Sequence, residues 1–173
     1  MRSDQMKSPL EACRSLYGFE PFPESLTIAQ YIRAHSSPDA RIAVLGSEPQ
    51  IYFYAHRRSA TGYIYTYPLM ERQPFAGQMR QEMVQELEAA KPLFVVQVRT
   101  WTSWLKRPGS PTLISEMCDS LTPPQYELVG SANILPDESR VEWHWGDEAL
   151  KAPTNASNNL LIFQRKPLAG DLH

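Results

Sequence analysis

RIAVLGSEPQIYFYAHRRSATGYIYTYP, Arg41 to Pro68, runs from a buried strand through a turn into an aromatic segment. It opens with four consecutive apolar residues, Ile42, Ala43, Val44 and Leu45. An uninterrupted apolar run of this length fits a strand covered on both faces, as in a parallel sheet. The strand breaks at Gly46 and passes through Ser47-Glu48-Pro49. Pro49 suits the first turn of a short helix carrying Ile51, Tyr52, Phe53 and Tyr54. β-branched and aromatic residues then gather from Ala60 to Tyr65, which predicts a second strand. A turn leaving a strand at the edge of an α/β sheet is where such folds present binding groups.

Working outward, the next helix is the clearest. Pro74 suits its first position, and Phe75, Met79, Met83 and Leu87 recur every four residues. Lys91-Pro92 ends it, and Leu93 to Val98 (LFVVQV) reads as another central strand. Ser110-Pro111 then starts a helix whose inner stripe is Ile114, Met117, Cys118 and Leu121. Strands follow at Tyr126 to Gly130, and at Val141 to Trp145, where Val141, Trp143 and Trp145 alternate with polar residues. A turn-rich loop, Gly146 to Asn158, leads to a last strand from Leu160 to Arg165. Upstream, Ile28, Ala29 and Ile32 predict a helix from Glu24 to His35, stopped by Ser36-Ser37-Pro38-Asp39.

The order predicts an α/β domain with three layers. Its sheet is expected to be mainly parallel, with helices on both faces and an antiparallel strand pair at the C-terminal edge. Residues 1–20 read as a polar N-terminal arm with a short helix around Leu10 to Leu16, residues 21–167 as a single domain, and residues 168–173 as a tail. A chain of 173 residues suits one hydrophobic core.

Charge excludes some functions. With 17 basic and 19 acidic residues the net charge is −2, so the chain has no electrostatic footprint for nucleic acid. It has no polybasic run for an anionic membrane and no apolar run long enough to span one. The N-terminal stretch lacks the apolar core of a secretory signal. Cys13 and Cys118 are too few for a disulfide framework. Four histidines, at 35, 56, 144 and 173, are scattered; Glu142 and His144 share a strand face without further ligands, so neither a metal nor a cofactor is expected. Asn155-Ala156-Ser157 matches a glycosylation sequon, a short pattern of high chance frequency.

Candidate binding residues come from strand ends and the aromatic segment. Ser47 and Glu48 lie just past the first strand, although the single glycine there makes neither a dinucleotide fingerprint nor a P-loop. Without GxSxG, Ser47 is not read as a nucleophile. Arg57 and Arg58 suit a phosphate or carboxylate, or equally an ion pair with Glu48 or stacking on the tyrosines. Tyr63 belongs to a cluster with Tyr52, Tyr54, Tyr65 and Tyr67 that suits a sugar site, a membrane interface or simple packing. Trp101 and Trp104 follow LFVVQV; in a parallel sheet they come near Gly46 to Glu48, as cover for the same crevice or as a plug over the core. No catalytic acid–base pair emerges from spacing.

The run FEPFPESLTIAQYIRAHSSPDARIAVLGSEPQIYFYAHRRSATGYIYTYPLME, with the amphipathic helix and KPLFVVQV after it, resembles one known family. It is similar to the soluble C-terminal region of bacterial GT-C-type, dolichyl-phosphate-mannose protein mannosyltransferase-like membrane glycosyltransferases. The similarity spans about Tyr17 to Gly130, and its most specific parts are GSEPQIYFYAHRRSAT and YIYTYPLME. The resemblance implies an accessory domain at the periplasmic face of the inner membrane. Its implied partners are the membrane-spanning module, absent from this chain, and a polyprenyl-phosphate sugar donor or its acceptor. The family's catalytic acid lies between membrane helices, so no catalytic residue carries over. Ser47, Glu48, Arg57, Arg58, Tyr63 and Trp104 become candidate substrate-binding residues. The alternatives are a free-standing ligand- or protein-binding module, and a small Rossmann-type methyltransferase, against which the glycine-poor turn counts.

Overall fold

The computed structural model describes residues 8–105, 108, 110, 125–135, 140–152 and 158–167. Its described elements, in chain order, are α1 (Pro9–Tyr17), α2 (Phe22–Ala34), β1 (Arg41–Leu45), α3 (Gln50–Ala55), β2 (Arg58–Ser59), α4 (Tyr67–Met70) and α5 (Ala76–Ala90). They continue with β3 (Phe94–Val98), α6 (Trp101–Trp104), β4 (Tyr126–Ile134), β5 (Val141–Trp145), α7 (Asp147–Lys151) and β6 (Asn159–Arg165). The expected helix on Ile114 to Leu121, with Cys118, lies outside the described residues, as do the sequon, His173 and the tail.

The six strands form one sheet in the order β2-β1-β3-β6-β4-β5. β1 pairs in parallel with β2 and β3, while β3–β6, β6–β4 and β4–β5 are antiparallel. The class is therefore α/β, but the sheet is mixed rather than mainly parallel. The expectation erred because β6 does not add at an edge: it returns to the middle and separates β3 from β4. Strand order depends on pairing between distant segments, which local periodicity does not report.

The expected β2 is also displaced. Instead of running from Ala60 to Tyr65 it holds only Arg58 and Ser59. The next residues turn on their own side chains: Ser59 Oγ accepts from Thr61 N–H, and Thr61 Oγ1 accepts from Tyr63 N–H, each at 3.1 Å. Such local bonds compete with a ladder. The stripe on α5 is shorter than its pattern, because Met83 and Leu87 are buried while Phe75 caps the helix from an exposed position.

Alternation along the strands separates two apolar clusters. Ile42, Val44, Phe94, Val96, Ala132, Leu160 and Ile162 pack with Ile28, Ile32, Ile51 and Tyr52 from α2 and α3. Ala43, Leu45 and Val95 point the other way and pack with Leu69, Met70, Met83, Leu87 and Trp104. Trp143 and Trp145 are half-buried against the first cluster rather than sealed in it. Gly130 makes this possible, since a Cβ there would stand 2.4 Å from the Trp145 ring. The α1 helix has a capping box between Ser8 and Glu11 and is tied to α2 by the Arg14–Glu24 ion pair.

Candidate functional site

Because β1 and β3 are parallel neighbours, the chain leaves both strands at the same end of the sheet. Gly46-Ser47-Glu48 follows β1, and Thr100 with α6 follows β3. Ser103 Oγ, on α6, joins the two: it donates to Glu48 Oε2 at 2.7 Å and accepts from Ser47 N–H at 2.9 Å. Thr66, just before α4, brings in a third segment. Its N–H donates to Ser47 Oγ at 3.3 Å, and its hydroxyl donates to the Ser103 carbonyl at 3.4 Å. Each hydroxyl has one proton, so Ser47 Oγ is the donor in its 2.9 Å contact with Thr66 Oγ1.

Glu48 is 2% exposed. Burial pushes its carboxyl up to about 8, with the Glu20 carboxylate adding to the rise; Ser103 and the Ser47 backbone oppose it. At neutral pH the group is therefore mostly uncharged. Gly46 is required by close packing. A Cβ there would lie 2.3 Å from Glu48 Oε2, 2.6 Å from Ser103 Oγ and 2.8 Å from Val98 Cβ.

An open cleft of about 510 Å³ lies against this knot, lined by Tyr67, Met70, Glu71 and Arg72 on one side and by Trp104, Leu105, Pro108 and Ser110 on the other. Its walls are fixed. Tyr67 O–H donates to the Thr102 carbonyl at 2.7 Å, and the Trp104 indole N–H donates to the Val98 carbonyl at 2.6 Å. Burial, then the neighbouring Tyr65, Glu20 and Glu48, hold the Tyr67 phenol up at about 12, so it stays protonated. The cleft thus offers aromatic and thioether surface beside the polar Glu71, Arg72 and Ser110. Aromatic surface beside a few polar groups is the general make-up of small-ligand clefts.

Of the residues singled out from sequence, Ser47 and Glu48 meet in the knot on Ser103, and Trp104, the next residue, lines the cleft. The two arginines and Tyr63 do not. Arg57 is at the opposite end of β1 and β2, 8% exposed, with its guanidinium turned into the chain. It donates to Ser36 Oγ and to the carbonyls of Arg33, Ser36, Ala55 and His56 at 2.7–3.2 Å. Arg58 sits beside it on β2, exposed, in register with Arg41. Tyr63 lies against the second cluster, and its hydroxyl donates to Glu82 on α5. Sequence reading missed Ser103 and Thr66, and named Tyr67 only as one of the tyrosine cluster. Only the adjacency of two parallel strands marks them, because it makes the turns after both strands meet.

Among the described residues no group of three His, Cys, Asp or Glu side chains is placed to hold a metal ion. No helix among them is long and apolar enough to cross a membrane. Fold and site define an α/β domain with a cleft at the C-terminal ends of two parallel strands. No family model, curated protein or solved structure matches the chain.

Proposed function

We propose that this chain is a non-catalytic recognition domain that binds an uncharged sugar in the cleft between α4 and α6. It acts as the accessory domain of a membrane glycosyltransferase that uses a polyprenyl-phosphate sugar donor. The resemblance over Tyr17 to Gly130 supports the placement at the periplasmic face of the inner membrane. The observation that carries the ligand class is the cleft itself, with Tyr67 and Trp104 in its walls and a neutral Glu48 behind them. Arg57 is committed to backbone carbonyls at the far end of the strands, so it does not serve a phosphate here. This favours the acceptor over the donor head group as the ligand.

Glu71 and Arg72 are exposed, which makes them the safest residues to alter. In the isolated domain, methyl glycosides of neutral hexoses should shift the amide and indole resonances of Tyr67, Trp104 and Leu105. The pair Glu71→Gln and Arg72→Gln should weaken those shifts at least about tenfold in apparent affinity, the loss expected for roughly one or two charged hydrogen bonds. In the full-length enzyme the same pair should raise the KM for acceptor and leave the KM for donor unchanged. Shifts confined to other surfaces, or an unaltered acceptor KM, would remove this reading. Binding by the domain with no effect in the membrane enzyme would favour the free-standing module.

A further inference from the structure

The face of the sheet opposite Trp143 and Trp145 carries a second, polar cluster on β4 and β5. Ser131 is directly opposite His144, and Asn133 is two residues along on the same face. Ser131 is 0% and Asn133 4% exposed, with His144 half-buried. Ser131 Oγ, Asn133 Oδ1 and His144 Nε2 are each shut from solvent and have no hydrogen-bond partner. Buried polar atoms are nearly always partnered, because losing water without replacement costs free energy. Elsewhere Glu24 Oε2 and Arg80 Nε are also unmet, but each stands alone on a side chain bonded through another atom, Glu24 to Arg14 and Arg80 to the Leu69 carbonyl. Three unmet atoms within one cross-strand patch therefore mark a place built for a visitor.

We propose that this patch is a second ligand site, separate from the cleft, for one uncharged polyol ring. A hydroxyl that donates and accepts, an amide oxygen that accepts and an imidazole nitrogen that does either match the hydroxyls of a sugar. Glu142, opposite Asn133, is exposed and stands at the rim. Neighbouring β4 and β5 stand about 5 Å apart, and residues 131 to 133 span about 7 Å along the strand, so the three atoms lie within reach of one pyranose ring. Entry requires movement, since the three atoms are closed off when the site is empty. The short α7 packs against β4 and β5 and hangs from Gly146 at φ 56°, where glycine turns without strain. The proposal rests on residues that the cleft does not use, so it stands or falls apart from that reading.

The test is a titration of the full chain with methyl hexosides and with myo-inositol, followed by the His144 ring nitrogens and the Asn133 side-chain amide in NMR. Saturable shifts of both groups are expected, undiminished by Glu71→Gln with Arg72→Gln. The pair Ser131→Ala and Asn133→Leu should abolish them. It should also leave the Tm of the free protein unchanged or raise it, because unmet polar atoms are removed. Absence of shifts with every probe overturns the proposal. A lowered Tm or failure to fold in that pair also overturns it, since the polar groups would then be satisfied in the free fold.

Discussion

The two ends of the parallel half of the sheet treat a buried ionisable side chain in opposite ways. At the end where β1 and β2 begin, Arg57 spends all five N–H groups on one hydroxyl and four carbonyls, which tie the close of α2 to the close of α3. A guanidinium keeps its charge in proteins, and here the charge is fully solvated by the backbone. At the end where β1 and β3 finish, Glu48 has Ser103 as its side-chain donor, an acidic neighbour in Glu20 and almost no water. It gives up its charge instead. Burial alone therefore does not mark a functional group. A group with every bond satisfied acts as a rivet, and one held near its titration point is able to respond.

The largest expected effect comes from removing the response at Glu48. Unfolded, this carboxyl titrates near 4.5; folded, near 8. Between those values the folded chain holds a proton that the unfolded chain lacks, so stability falls as pH rises. The contribution is complete below about pH 4.5 and gone above about pH 8. At about 1.4 kcal/mol per unit, the fall amounts to roughly 5 kcal/mol across the window. Glu48→Gln keeps an acceptor for Ser103 and has no proton to take up. Its denaturation midpoint should exceed that of the parent increasingly from pH 5 to about pH 8, and by a constant margin above that. Parallel pH profiles would erase the distinction between the two ends.

Arg57→Ala tests the rivet. It leaves four carbonyls and one hydroxyl to find other partners at a site with little water, and should cost about 3 kcal/mol in urea unfolding at any pH between 5 and 9. Arg57→Lys should recover less than half, since an ammonium cannot reproduce the planar fork. A loss below about 1 kcal/mol for the alanine variant would mean that the carbonyls are easily rehydrated, and the contrast with Glu48 would weaken.

Much of this contrast was hidden in the sequence for definable reasons. The run Ile42 to Leu45 identified β1, and LFVVQV identified β3, because fully buried strands leave a continuous apolar record. Bringing the turn after β3 to the turn after β1 followed once those two strands were taken as parallel, and the bond from Ser103 to Glu48 is where the turns meet. Arg57 and Arg58 carry the same chemistry in adjacent positions, and which one turns inward depends on where α2 ends, some twenty residues away. Ser103 is an ordinary serine until the turns after β1 and β3 abut. The return of β6 between β3 and β4 concerns long-range pairing, and α7 is too short to leave a period.

The smallest effect belongs to Arg58, and its size gives the comparison its edge. This residue differs from Arg57 by one position, shares its charge, and is exposed on a two-residue edge strand opposite Arg41. No hydrogen bond of the guanidinium fixes a neighbouring segment, so Arg58→Ala should change stability by less than about 0.5 kcal/mol, with slight relief of repulsion from Arg41 as its only electrostatic consequence. If the alanine variants at 57 and 58 proved equally costly, net charge at this end would matter more than hydrogen-bond geometry. If Arg58→Ala instead weakened binding of methyl hexosides by the chain with stability untouched, the far end of the strands would be a second working surface. Equal stability of parent and Arg58→Ala, beside a large loss for Arg57→Ala, attributes the effect to the carbonyls that Arg57 reaches and Arg58 does not.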